Sequence, residues 1–256
     1  MSRQASGQGP ELLVFPDRGA AADAAAQRVA GSCARAVDRR GECAVALSGG
    51  DTPRDLYARL VEDPLRGRIA WDRLRVFWGD ERGVPPTDPR SNFRMAQQTL
   101  LASVPIPSDR IYRMPAEQAD GAAAAEAYEA LLRAHTPAAP DGWPQLDLVL
   151  LGLGEDAHTA SLFPHSPVLR EAHRSVVVYE IPRLGMARMT LTPPVLNHAA
   201  EVIFLVAGEG KASALRLVLE GPHDPDRVPA QLVRPISGGP AWFVDAAAAS
   251  QLTRPS

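Results

Sequence analysis

Short apolar runs alternate along this chain with longer helix-like stretches, and that alternation restricts the fold more than any other feature. The runs lie at Leu12 to Phe15, Ala44 to Leu47, Leu74 to Trp78, Leu146 to Leu151, Val176 to Ile181, Val202 to Val206 and Trp242 to Val244. Between them fall an Ala-rich segment from Ala20 to Arg39 and others at Asp55 to Val61, Phe93 to Ala102, Ala119 to Ala134 and Ala212 to Leu219. Strand and helix in alternation predict an α/β fold with a mainly parallel sheet and helices on both faces. Runs such as Val149 to Leu151 and Ile203 to Ala207 show no polar alternation, as burial on both faces requires.

With 256 residues and 45% hydrophobic composition the chain can bury a proper core. A flexible N-terminus over 1–10 and a single α/β domain over 11–256 are expected. The Pro-rich segment HTPAAPDGWP, 135–144, is short and brings no change of composition, so it reads as a surface loop. A net charge of −3 and a pI near 6.1 lack the basic footprint of a nucleic-acid binder. Any anionic ligand must then be met by a local group of cations. No apolar run approaches the roughly 20 residues of a membrane span, and MSRQASGQGP lacks the apolar centre of a signal peptide. A cytoplasmic protein without a membrane partner is the expectation. Cys33 and Cys43 form no CxxC, which indicates neither a disulfide framework nor a zinc site. His135, His165, His173, His198 and His223 show no ligand spacing such as HExxH, so no metal is expected. His165 is expected at the surface, beyond the start of a helix that follows His158.

The segment LDLVLLGLGEDAHTASLFP, Leu146 to Pro164, begins as a strand, breaks at Gly152 and Gly154, and presents Glu155, Asp156 and His158 where the strand ends. Open α/β sheets bind their ligands at such strand ends. A histidine there, with a carboxylate two residues away, suits a general base near neutral pH. SGGDTP, Ser48 to Pro53, follows the run CAVAL. Its glycines let backbone N–H groups turn inward and the helix beginning near Pro53 adds a positive dipole end, so Ser48, Gly49, Gly50 and Thr52 suit a phosphate. SGGDTP is neither a Walker loop nor GxGxxG, and nucleotide binding gains no specific support from it. In VFWGDERGVPPTDPRSN a hydrophobic strand runs into Asp80, Glu81 and Arg82, with Ser91 or Asn92 placed to cap a helix beyond. Lys211 is the only lysine among 27 basic residues and opens a helix after EVIFLVAGEG. Where arginine is accepted so freely, a lysine marks a place that a planar fork does not fit. Arg188, in ARMTLTPP, adds a cation beside a predicted strand.

In their order, SGGDTP, the DER followed by SN, GLGEDAHTASLFP, RMTLT and GEGK resemble the 6-phosphogluconolactonase family over nearly the whole chain. That resemblance implies a modified doubly wound, Rossmann-like α/β fold and hydrolysis of 6-phosphoglucono-δ-lactone to 6-phosphogluconate in the pentose phosphate pathway. No metal or organic cofactor is implied, and a monomer or weak homodimer is expected. The family's catalytic histidine falls on His158; its phosphate-binding elements fall on the Ser48 to Thr52 loop, Arg188 and Lys211. One departure stands out. The family reads GxDGH where this chain has Ala157, and if that position takes φ > 0 an alanine costs roughly 1–2 kcal/mol.

A δ-lactone is an activated ester, so its hydrolysis needs a placed water, a base and charge for the oxyanion. His158 is the expected base, Asp156 its orienting partner and Arg82 the oxyanion cation. Asp80 joins the substrate-binding group, and Lys211, Arg188 and the glycine loop hold the 6-phosphate, so that remote binding positions the reacting carbon. Ser48 and Ser161 stand in no GxSxG, which disfavours a covalent serine mechanism. The alternatives are a sugar-phosphate deaminase or isomerase, a noncatalytic sugar-phosphate sensor and a dinucleotide-dependent dehydrogenase. Deaminases resembling this family carry an acid five residues after the histidine, where this chain has Phe163. An intact His158 and Arg82 argue against the sensor, and the missing glycine fingerprint against the dehydrogenase.

Overall fold

The structure is a computed structural model and describes residues 9–253. Residues 1–8 of the N-terminus expected to be flexible lie outside them. In chain order the elements are β1 (Glu11–Phe15), α1 (Arg18–Arg40), β2 (Cys43–Leu47), α2 (Asp51–Leu60), α3 (Leu65–Arg68), β3 (Leu74–Trp78), β4 (Asp80–Arg82), α4 (Asn92–Thr99) and α5 (Gly121–His135). They continue with β5 (Leu148–Leu151), β6 (Val176–Ile181), β7 (Met186–Leu191), α6 (Pro193–His198), β8 (Val202–Val206), α7 (Ala212–Glu220) and β9 (Ala241–Asp245).

Six strands form an all-parallel sheet in the order β1-β9-β8-β5-β2-β3. Strands β2, β5, β8 and β9 are buried along their whole length, which is why their sequences carry no alternation. The Ala-rich segment becomes α1, whose buried stripe includes Ala21, Ala25, Ala26, Val29, Ala30, Cys33 and Ala36. Such small side chains let a helix lie close to a sheet. Its start is fixed by Asp17, whose carboxylate accepts from the Ala20 amide at 2.8 Å. Its end is fixed by Gly41 at φ 78°, whose N–H returns to the Val37 carbonyl. The chain runs outward from β2 to the β3 edge, then resumes on the other side of β2 with β5. That reversal creates a crevice at the carboxyl ends of β2 and β5.

The run Val176 to Ile181 is not part of the parallel sheet. It pairs with β7 in a separate antiparallel sheet of order β4-β7-β6. The charged triplet Asp80 to Arg82, which reads as the end of the preceding hydrophobic strand, is itself the strand β4 and pairs with β7. Only Gly79 separates β3 from β4. Its N–H donates to the Leu47 carbonyl of the parallel sheet, and its own carbonyl accepts from the Leu191 amide of the small sheet, both at 2.9 Å. Among the described residues no helix is long and apolar enough to cross a membrane.

Candidate active site

The loops leaving β2 and β5 meet at the crevice. After β2, the Ser48 amide donates to the Tyr57 hydroxyl at 2.9 Å and that hydroxyl returns a bond to the Ser48 carbonyl at 2.8 Å. Tyr57 is fully buried, so the first turn of the loop is pinned from inside the core. Gly50, at φ 104°, precedes the first turn of α2. A methyl at Gly49 would overlap the side-chain amide of Asn92, so only glycine lets the loop and α4 approach this closely.

After β5 the chain turns sharply, with the Gly154 amide bonded to the His158 carbonyl at 2.8 Å and the Ala157 amide to the Gly154 carbonyl at 3.0 Å. Ala157 sits at φ 61°, the left-handed conformation for which glycine is the natural residue. A methyl at Gly154 would overlap His158 Nδ1, so that glycine makes room for the imidazole. Asp156 Oδ1 bonds His158 Nδ1 and also accepts from the His158 amide at 3.2 Å. A carboxylate at Nδ1 favours the tautomer with its proton there, leaving Nε2 as the nitrogen able to take a proton. No α-helix starts directly after His158; from there to β6 the chain makes turns and a short 3₁₀ segment at Pro167–Arg170. The expected helix start is therefore corrected, while His165 is exposed as expected.

The small sheet supplies the charges. Asp80 is buried, and its carboxylate accepts from Ser161 Oγ at 2.6 Å and from Asn92 Nδ2 at 3.2 Å. Glu81 is also buried and turns away to close the start of α4. It accepts from the amides of Arg82, Asn92 and Phe93 at 2.8 Å each and from Ser91 Oγ at 2.9 Å. Burial pushes its carboxyl up, against the pull of those four donors. Arg82 donates to the Asn92 side-chain oxygen and, at 2.8 Å, to the Arg90 carbonyl. Arg188 contrasts with it: among the described residues its Nε and Nη1 are buried without a hydrogen-bond partner. Burial holds its guanidinium below the usual arginine range, opposed by Asp80 and reinforced by the like charge of Arg82. An unpartnered buried guanidinium is costly unless an anion meets it.

These groups line one cleft of about 250 Å³. It brings together Ser48, Gly49, Gly50, Asp80, Arg82, His158, Arg188 and Lys211. Thr52, in the first turn of α2, does not line it, and Asp156 reaches it through His158. Lys211 enters at the N-cap of α7. Three participants were not foreseen. Asn92 ties Arg82 to Asp80 and braces Gly49; Ser161 bonds Asp80; Phe163 stacks on His158 with ring centroids 4.2 Å apart. The sequence signal for Asn92 was as one of two candidate helix caps, but Ser91 fills the cap, its Oγ accepting from the Arg94 amide at 3.1 Å. Among the described residues no three His, Cys, Asp or Glu side chains gather as metal ligands.

The chain is similar to known proteins along most of its length. A family described as glucosamine-6-phosphate isomerases/6-phosphogluconolactonase matches residues 16–242. A 6-phosphogluconolactonase of Streptomyces coelicolor is 40% identical, with 96% of this chain and 95% of the relative covered. One from Synechocystis is 41% identical, covering 85% of this chain and 88% of the relative. The solved structure of 6-phosphogluconolactonase from Trypanosoma brucei superposes with a TM-score of 0.85 at 29% identity, covering 96% of this chain and 100% of that one. Fold, strand-end cleft and sequence agree, and the chain belongs to the glucosamine-6-phosphate isomerase/6-phosphogluconolactonase family.

Proposed function

We propose that this protein is a 6-phosphogluconolactonase, hydrolysing 6-phospho-D-glucono-1,5-lactone to 6-phospho-D-gluconate in the pentose phosphate pathway. The observation that carries the reading is the presence in one cleft of His158, held at Nδ1 by Asp156, and of Arg188, buried without a partner for Nε and Nη1. One is equipped to move a proton and the other to receive an anion.

In this reading Arg188, Lys211 and the Ser48 to Gly50 loop hold the 6-phosphate, assisted by the positive end of α2. The lactone carbonyl then lies toward His158. Nε2 takes a proton from water as the water oxygen bonds to C1, and Asp156 stabilises the imidazolium that forms. Arg82 supports the negative charge that develops on the carbonyl oxygen, its guanidinium steadied by Asn92. The tetrahedral intermediate collapses as the C1 to ring-oxygen bond breaks, and the proton passes from Nε2 to the departing ring oxygen. Asp80, bonded by Ser161 and Asn92, faces the same cleft as an acceptor for sugar hydroxyls.

Generating the phosphorylated lactone in situ and following its decay with and without protein tests the reading. Decay faster than the spontaneous opening supports it, and decay equal to that control overturns it.

A further inference from the structure

We propose that Phe163 is a positioning residue for His158, fixing the plane of the imidazole so that Nε2 faces the lactone; the inference deepens the lactonase reading and rests on it. The bond from Asp156 holds one edge of the ring at Nδ1. A single hydrogen bond leaves the imidazole free to rock about the line joining Cβ to that contact. The Phe163 ring lies against the imidazole with centroids 4.2 Å apart and planes 28° from parallel, which removes the rocking freedom.

Of the two rings, Phe163 is the better anchored. Phe163 is buried, whereas His158 is half-buried. The Phe163 carbonyl accepts from the buried Ser166 hydroxyl at 2.6 Å and from the Ser166 amide at 3.1 Å. Two residues earlier the Ser161 carbonyl accepts from the Tyr179 hydroxyl of β6. The segment that carries the phenyl ring is thus tied to its own turn and to the small sheet, and His158 rests against it. Since Phe163 also lines the cleft, the stacked pair forms part of the wall that a substrate meets.

The test compares Phe163→Leu and Phe163→Tyr with wild type, using the phosphorylated lactone and 15N-histidine NMR on the full chain. Phe163→Leu should lower kcat by about 10- to 100-fold through loss of orientation while leaving KM within about threefold. Its His158 nitrogen shifts should move from a dominant Nδ1–H form toward a mixture of tautomers. Phe163→Tyr keeps the flat face and should restore both readouts. If Phe163→Leu does not fold, Phe163→Met fills similar space without a flat face and takes its place. Unchanged kcat together with an unchanged tautomer in the folded variant overturns the proposal, even where wild type is a competent lactonase. A wild type that does not hydrolyse the lactone overturns the functional reading instead, and the NMR comparison still decides whether Phe163 sets the imidazole.

Discussion

Arg82 stands directly opposite Arg188 across the antiparallel β4–β7 ladder, and both side chains line the cleft. Like charges in directly opposed positions oppose sheet formation. The pair is tolerable where an anion comes between the guanidiniums and where one has other partners, as Arg82 has in Asn92 and the Arg90 carbonyl. Different partners imply different duties. Arg188→Met should raise KM for the phosphorylated lactone by about 10-fold or more, from loss of a charge-assisted bond, with little change in kcat. Arg82→Met should lower kcat by about 10²-fold or more on phosphorylated and unphosphorylated lactones alike. Steady-state kinetics on the two substrates separates the roles, and the reverse pattern would exchange them.

Removing the base should cost rate and spare affinity. His158→Ala is expected to lower kcat by roughly 10²- to 10⁴-fold while 6-phosphogluconate binding, read by calorimetry, stays near wild type. A rate within about threefold of wild type would exclude His158 as the base, given that range for general-base catalysis.

Lys211 meets the cleft as a compact charge at the start of α7. Lys211→Met should raise the apparent KM by roughly 10- to 100-fold. Arginine carries the charge with a different reach and shape, so Lys211→Arg should recover only part of that loss. An unphosphorylated gluconolactone should be handled about equally by all three proteins. An unchanged KM for Lys211→Met would leave the phosphate to Arg188 and the Ser48 to Gly50 loop.

Ala157 holds a methyl group in left-handed backbone beside the candidate base. Ala157→Gly removes a strain of roughly 1–2 kcal/mol but adds freedom to the unfolded chain, for a net gain of about 0.5–1 kcal/mol. Thermal melts should show a Tm higher by about 1–4 °C. A lower Tm would mean that the methyl's burial outweighs the strain.

Outside the cleft lining, at the end of α5, His135 Nδ1 lies 2.7 Å from Arg75 Nη1, and its ring stacks on Tyr112. Arginine can only donate, so this nitrogen accepts and the imidazole is neutral. Burial and then Arg75 pull the His135 pKa down, with Glu42 opposing. The unfolded chain therefore binds a proton here at higher pH than the folded one. The stability this site contributes is present above about pH 6.5 and is lost as pH falls from there toward the folded value. Urea melts from pH 7.5 to 5 should show a shallower acid decline for His135→Gln than for wild type, and equal slopes would remove His135 from the account.

What could be read from sequence followed the parallel sheet. A strand that is buried on both faces is apolar throughout, and a glycine-broken end leaves its polar residues conspicuous; hence Ser48, Asp156 and His158 stood out. The small sheet hides for the opposite reason. Asp80, Glu81 and Arg82 face a cleft and a helix start, so the residues that make β4 useful are those that make it look like the charged end of β3 and not a strand of its own. Val176 to Ile181 has the same apolar text in either sheet, and its pairing depends on a hairpin with β7 that composition does not reveal. Asn92 was legible as a helix neighbour but not as the link between Gly49, Asp80 and Arg82, because those contacts join separate elements.

Gly79 gives the two walls of the cleft a common residue, with its nitrogen bonded into one sheet and its oxygen into the other. The gap between His158 and the arginines Arg82 and Arg188 is then governed by a covalent span of chain and not by the docking of two lobes. A substrate entering such a gap meets a gauge of preset width, and little of its binding energy goes into drawing the walls together.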